Sequence, residues 1–120
     1  MSNTEYAYIF NHWGHLFDNL GFLNKSRHYF DFFHKLHKLY SKNPLDIASS
    51  GANLVKCLFH LSSALPNEFK DRKCQIDELY MTGLEIMVSL YGDLMHFKKA
   101  LFMNRSAGYL SWKGEWDSAF

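Results

Sequence analysis

A single apolar stripe near the start of the chain constrains its fold more than any other feature. Tyr6, Ile9, Phe10, Trp13, Leu16, Phe17 and Leu20 recur at intervals of three and four residues, the spacing that puts side chains on one side of an α-helix. Ser2 and Glu5 stand ahead of it at capping-box spacing, and Gly21 is a natural stop. The same period continues. Tyr29, Phe32, Phe33, Leu36, Leu39 and Tyr40 predict a second helix from about Lys25 to Lys42, ended by Asn43-Pro44. Segment 44–65 predicts a helical turn, a weak point at Ser49-Ser50-Gly51, and a helix over 52–64 using Val55, Leu58, Phe59 and Leu61, closed by Pro66. A short helical piece is expected over 67–73. Ile76, Leu79, Tyr80, Met87, Leu90, Tyr91, Leu94 and Leu101 predict a long helix over 75–103. Gly83 and Gly92 each weaken it by about 1 kcal/mol relative to alanine, which leaves room for a bend at either. Gly108 ends the regular pattern.

Strand signals are nearly absent: no Asn-Gly or Asp-Gly turn occurs, and there is little period-two alternation. The expectation is therefore an all-α fold, a compact single-domain bundle of about five to six helices over residues 1–120. Tyr109, Trp112, Trp116 and Phe120, at spacings of three and four in the tail 109–120, predict an aromatic segment docked on the bundle. Aromatic stripes of this kind read as core.

Composition limits the function classes. The apolar fraction is 48% and the aromatic fraction 18%, against a net charge of +1, which excludes a disordered chain and a wholesale neutraliser of nucleic acid. The opening MSNTEYAYIF lacks the basic and apolar regions of a secretion signal. The greasiest stretch, LEIMVSLY, is too short to span a bilayer and carries Glu85. Two cysteines, Cys57 and Cys74, read as reduced thiols. A cytoplasmic protein without membrane contact is expected, as a monomer or small oligomer.

HYFDFFHKLH, residues 28–37, packs three histidines and an aspartate into ten positions. Each helical residue turns about 100°, so His28, Asp31, His34 and His37 spiral around the axis and do not converge. His12 with His15, and Asp93 with His96, are further pairs three apart. No HxxxH, HExxH or Glu-x-x-His spacing occurs, and these are the patterns that place several ligands on one ion. Cys57 and His60 resemble a nucleophile and base by spacing, but Cys57 falls among core positions, where thiols are inert packing. The histidines read as half-buried or solvated residues of amphipathic helices. No catalytic residue, metal site or cofactor is expected.

Charge is balanced overall but segregated. Residues 25–42 carry Lys25, Arg27, Lys35, Lys38 and Lys42 against Asp31 alone. Residues 74–97 carry Asp77, Glu78, Glu85 and Asp93 and no lysine or arginine. The two helices either neighbour each other with attracting rims or turn one face to a partner, and the two readings are compatible. The acidic helix would repel phosphate, which counts against nucleic acid. The expected partner is a protein, met by Asp77, Glu78, Glu85 and Asp93 together with the tail residues Trp112, Glu115, Trp116 and Asp117.

In size, aromatic content, absence of catalytic motifs and the acidic segment CQIDELYMTGLEIMVSLYGDLMHF, the chain resembles the small helical immunity proteins that bacteria make beside secreted toxins, including those of contact-dependent inhibition systems. The resemblance implies tight binding to one cognate toxin, often a nuclease, with occlusion of its active site. The +1 net charge departs from the acidic balance common among such inhibitors and speaks against a nucleic-acid-mimicking surface. The ending YLSWKGEW resembles the end of a helical anti-CRISPR protein, which would imply a phage-encoded inhibitor of a bacterial defence system. A third alternative is a helical metal- or ligand-binding sensor using His12, His15, His34 and His37.

Overall fold

The computed structural model describes the backbone of residues 3–64, 69–94 and 96–113, and the side chains of 5–62, 72–94 and 96–110. Among these residues there are five helices and no strand: α1 (Asn3–Asn19), α2 (Leu23–Tyr40), α3 (Pro44–Ala64), α4 (Phe69–Tyr91) and α5 (Phe97–Lys113). The all-α expectation holds. The Ser2–Glu5 box, Pro66 and residues 114–120 fall outside the described residues.

Local chemistry explains the turns. Gly21 closes α1 at φ 82°; Phe22 N–H reaches back to Phe17 O at 2.9 Å and Gly21 N–H to Asp18 O at 3.1 Å. This is the glycine-terminated helix end, in which a left-handed residue lets the last carbonyls find donors. At the α2–α3 corner, Asn43 Oδ1 accepts from Leu45 N–H at 3.1 Å, capping α3 with Pro44 in the first helical position. Gly92, at φ 57°, divides the predicted long helix into α4 and α5. His96 then caps α5, its Nδ1 accepting from Lys98 N–H at 3.1 Å.

Three boundaries differ from expectation, the first being that α4 runs unbroken from Phe69 through the gap expected between 73 and 75. α3 runs unbroken through Ser49-Ser50-Gly51, because Ser50 is buried and sends its hydroxyl proton to Ile47 O at 3.2 Å within the helix. α5 runs through Gly108, where the missing side chain admits the Phe59 ring, and Tyr109 and Leu110 beyond it are buried. Gly83 stays inside α4 as a notch for the Phe102 ring.

α3 is the central helix. Ala48, Ala52, Leu54, Val55, Cys57, Leu58 and Leu61 are all buried, since α2, α4 and α5 each pack against it. Helices apolar on nearly every side belong in the interior. Ile76, Tyr80 and Met87 of α4 and Phe102, Tyr109 and Leu110 of α5 complete the core. α1 packs mainly on α2, and the whole is a slab 22 Å thick, about two helix diameters.

α1 is turned the other way round from expectation, and α2 is rotated so that of its predicted stripe only Phe33 is fully buried. On α1 the buried positions are Ala7 and Gly14, and its inward polar groups meet the bundle. Asn53 Nδ2 donates to Asn11 Oδ1 at 2.9 Å, and Asp18 lies 3.8 Å from His60. On α2 the buried set is Ser26, Phe30, Phe33, His34 and His37. Ser26 Oγ donates to Gly14 O at 2.8 Å, which lets α1 and α2 approach closely. The apolar stripe of α1 therefore faces outward: Trp13 is 45% and Leu20 58% exposed.

Candidate functional site

The acidic residues predicted to meet a partner divide by position. Glu78 and Glu85 are exposed on α4, and Asp93 is exposed just after its end. Asp77 is half-buried, 3.6 Å from Lys73 one turn earlier. Glu78, Met81, Glu85 and Val88 stand three, four and three residues apart, on one outer side of the helix. Met81 and Val88 are both about half exposed, so the strip alternates carboxylate with apolar side chain. Trp112 lies on α5, but its side chain is outside the described residues, as are Glu115, Trp116 and Asp117.

A larger surface, assigned to the core by sequence reasoning, lies on α1 and α2. Phe10 contacts Phe32 with ring centroids 4.8 Å apart, Phe17 stacks on Tyr29 at 5.5 Å and 5°, and Trp13 lies between them, 5.9 Å from Phe17 and 6.3 Å from Tyr29. Lys25 Nζ sits 5.4 Å from the Phe17 ring centre and 5.7 Å from that of Phe22, a cation–π edge to the patch. Tyr6, Ile9, Leu16, Phe22 and Phe32 are each about half exposed. These rings satisfy one another only in part, and their outer faces remain in water.

The histidines of α2 are more ordered than their sequence context implies. His34 and His37 are buried, which corrects the half-buried or solvated reading. Ser50 directs its proton to Ile47 O, so His34 Nδ1–H donates to Ser50 Oγ at 2.8 Å. His37 Nδ1–H donates to Asp46 O at 2.9 Å, because a carbonyl can only accept. Both rings thus carry the proton on Nδ1 and leave Nε2 as the acceptor. That of His37 is sealed in without a partner, its ring between those of Phe33 and Tyr8 at 4.3 and 5.5 Å. His34 lines a cleft of about 230 Å³ between α2, α3 and α4. Burial first, and the Lys38 ammonium second, hold the His34 pKa down to about 4, so at neutral pH it is an uncharged acceptor.

His12, His15, His34 and His37 do not converge. His15 lies edge-on to Phe30 at 5.0 Å, and desolvation, then Arg105 and Lys56, lower its pKa. Among the described residues no three His, Cys, Asp or Glu groups gather as metal ligands. Cys57 and His60 are directed apart: the Cys57 sulfur lies 3.7 Å from Leu23 O and from Ser26 Oγ, burial pushes its thiol up to about 11, and His60 turns toward Asp18. Cys74 is exposed. No helix among the described residues is long and apolar enough to cross a membrane.

Comparison with protein-family models, curated proteins and solved structures finds no match for this chain.

Proposed function

We propose that this chain is a non-catalytic inhibitor of the immunity-protein kind, which binds one cognate protein toxin and covers its active site. The observation that carries this reading is the inverted α1. Its small and polar residues Ala7, Asn11, Gly14 and Asp18 face the bundle, while Trp13, Leu16 and Leu20 stay about half exposed. A helix gains from burying its apolar side, at about 25 cal/mol per Å², so an aromatic side left in water has a use elsewhere. Contiguous exposed apolar patches mark interaction sites, and interface energy concentrates in Trp and Tyr anchors of this kind. The acidic strip on α4 adds steering toward a basic partner.

The test has two stages. The partner is captured from the native host and identified, and its activity is then measured with and without this chain. A toxin whose activity falls on stoichiometric addition supports the reading; a defence-system component in its place makes the chain a phage-type inhibitor. Trp13→Ala and Leu16→Glu should each weaken the complex by tenfold or more, since truncating an anchor costs about 2 kcal/mol or more, with helix content at the assay temperature unchanged. Wild-type affinity in both variants, or a bound partner whose activity is untouched, defeats the proposal.

A further inference from the structure

We infer that the cleft between α2, α3 and α4 is a binding site for a small zwitterion of the α-amino-acid class, with His34 Nε2 as its buried acceptor. The inference goes beyond the partner reading above and shares only Glu78 with it.

The acceptor is built in. His34 is 6% exposed, and its ring is fixed by the chain His34 Nδ1–H to Ser50 Oγ to Ile47 O. Gly51 faces the ring, where even a methyl group would come within 3.3 Å of Cε1. Nε2 has no partner among the described residues, and unlike that of His37 it is not sealed off. Nε2 therefore opens to the cleft, where a ligand N–H would take the place of water as its donor.

The charges narrow the ligand. Asp31 and Lys35 neutralise each other at 3.0 Å. Lys38 of α2 and Glu78 of α4 line the same cleft, and neither has an ion pair among the described residues. The cleft is thus lined by one ammonium and one carboxylate that form no ion pair among the described residues. A simple anion would meet Glu78 unfavourably, and a simple cation Lys38. A metal ion lacks a third ligand among the described residues here. A zwitterion satisfies both walls: its carboxylate faces Lys38, and its ammonium donates to Glu78 and to His34 Nε2. Ile47, Leu54 and Leu79 supply an apolar wall for a side chain. At about 230 Å³ the space is below the roughly 300 Å³ where drug-sized sites begin, which fits a single amino acid.

The full chain is titrated calorimetrically with free leucine, methionine and phenylalanine, with leucinamide and N-acetyl-leucine as blocked controls, and with inorganic phosphate. At least one free amino acid should saturate with Kd below about 1 mM and shift the ¹⁵N resonance of His34 Nε2. Blocking either end, or introducing Lys38→Gln or Glu78→Gln, should weaken binding at least about fivefold, a change of roughly 1 kcal/mol. Lys38 and Glu78 are exposed, so both variants should keep the wild-type melting temperature. The inference is overturned if no free amino acid saturates by about 10 mM, if phosphate binds in their place, or if blocked ligands or either variant bind within fivefold of the reference.

Discussion

His34 shows how one side chain can couple folding to acidity. Its proton affinity falls from the ordinary 6.5 to about 4 in the fold, whereas the unfolded chain protonates normally. The unfolded state therefore binds more protons between these values, and stability is lost as pH falls from about 6.5 toward 4. Each pH unit across that window is worth about 1.4 kcal/mol, so the loss approaches about 3 kcal/mol in total. His34→Asn, which keeps a donor near the Nδ1 position, should flatten the slope of unfolding free energy between about pH 6.5 and 4 in urea titrations at several pH values. An unchanged slope would assign the acid sensitivity to His15, whose pKa is also lowered, or to carboxylates. None of this was legible in HYFDFFHKLH. Helical period placed His34 and His37 beside the aromatic stripe, and only α3, through Ser50 Oγ and Asp46 O, draws them inward.

At the scale of the helix, periodicity identified the apolar side of α1 without saying which way that side is turned. Orientation depends on the neighbour. Gly14 lets α1 lie close to α2, its carbonyl taking the Ser26 hydroxyl proton, and Asn11 and Asp18 find polar partners on α3. The outward stripe follows from that close approach. Glycine read as a weak point fared similarly: Gly92 does break the helix at φ 57°, whereas Gly83 is retained for fit. A Cβ at Gly83 would lie 2.5 Å from Phe102 Cε2, and one at Gly14 2.7 Å from Phe30 Cε1. Alanine in a helix gains about 1 kcal/mol over glycine in propensity, but forcing a buried ring aside costs about 1–3 kcal/mol. The steric term wins at contacts this short. Gly83→Ala and Gly14→Ala should each lower the urea midpoint, and a raised midpoint would show that the rings move freely.

The molecule as a whole separates its surfaces by charge and polarity, with a carboxylate-rich strip on α4 and aromatic rings on α1 and α2. Apolar content and helical spacing were enough to read the all-α class. The segregation of charge was equally legible, because Glu78 and Glu85 lie two turns apart on one outer side of α4. The aromatic face was not, since stripe and core look alike until neighbours are placed. If the strip steers a basic partner, Glu85→Lys or Asp93→Lys should slow association severalfold at low salt and much less near 0.15 M, where screening reaches about 8 Å. Stopped-flow rates at two ionic strengths would reveal it, and salt-independent rates would leave the strip as plain solvated surface. The inverted α1 also bears on how the chain is made. α1 is synthesised before the helix that half covers it, and folding does not finish the task. If a partner covers that side, copies translated in excess of it would keep tryptophan and leucine in contact with water, as natural clients of chaperones and proteases, and supply of this chain would then be matched to supply of whatever covers it.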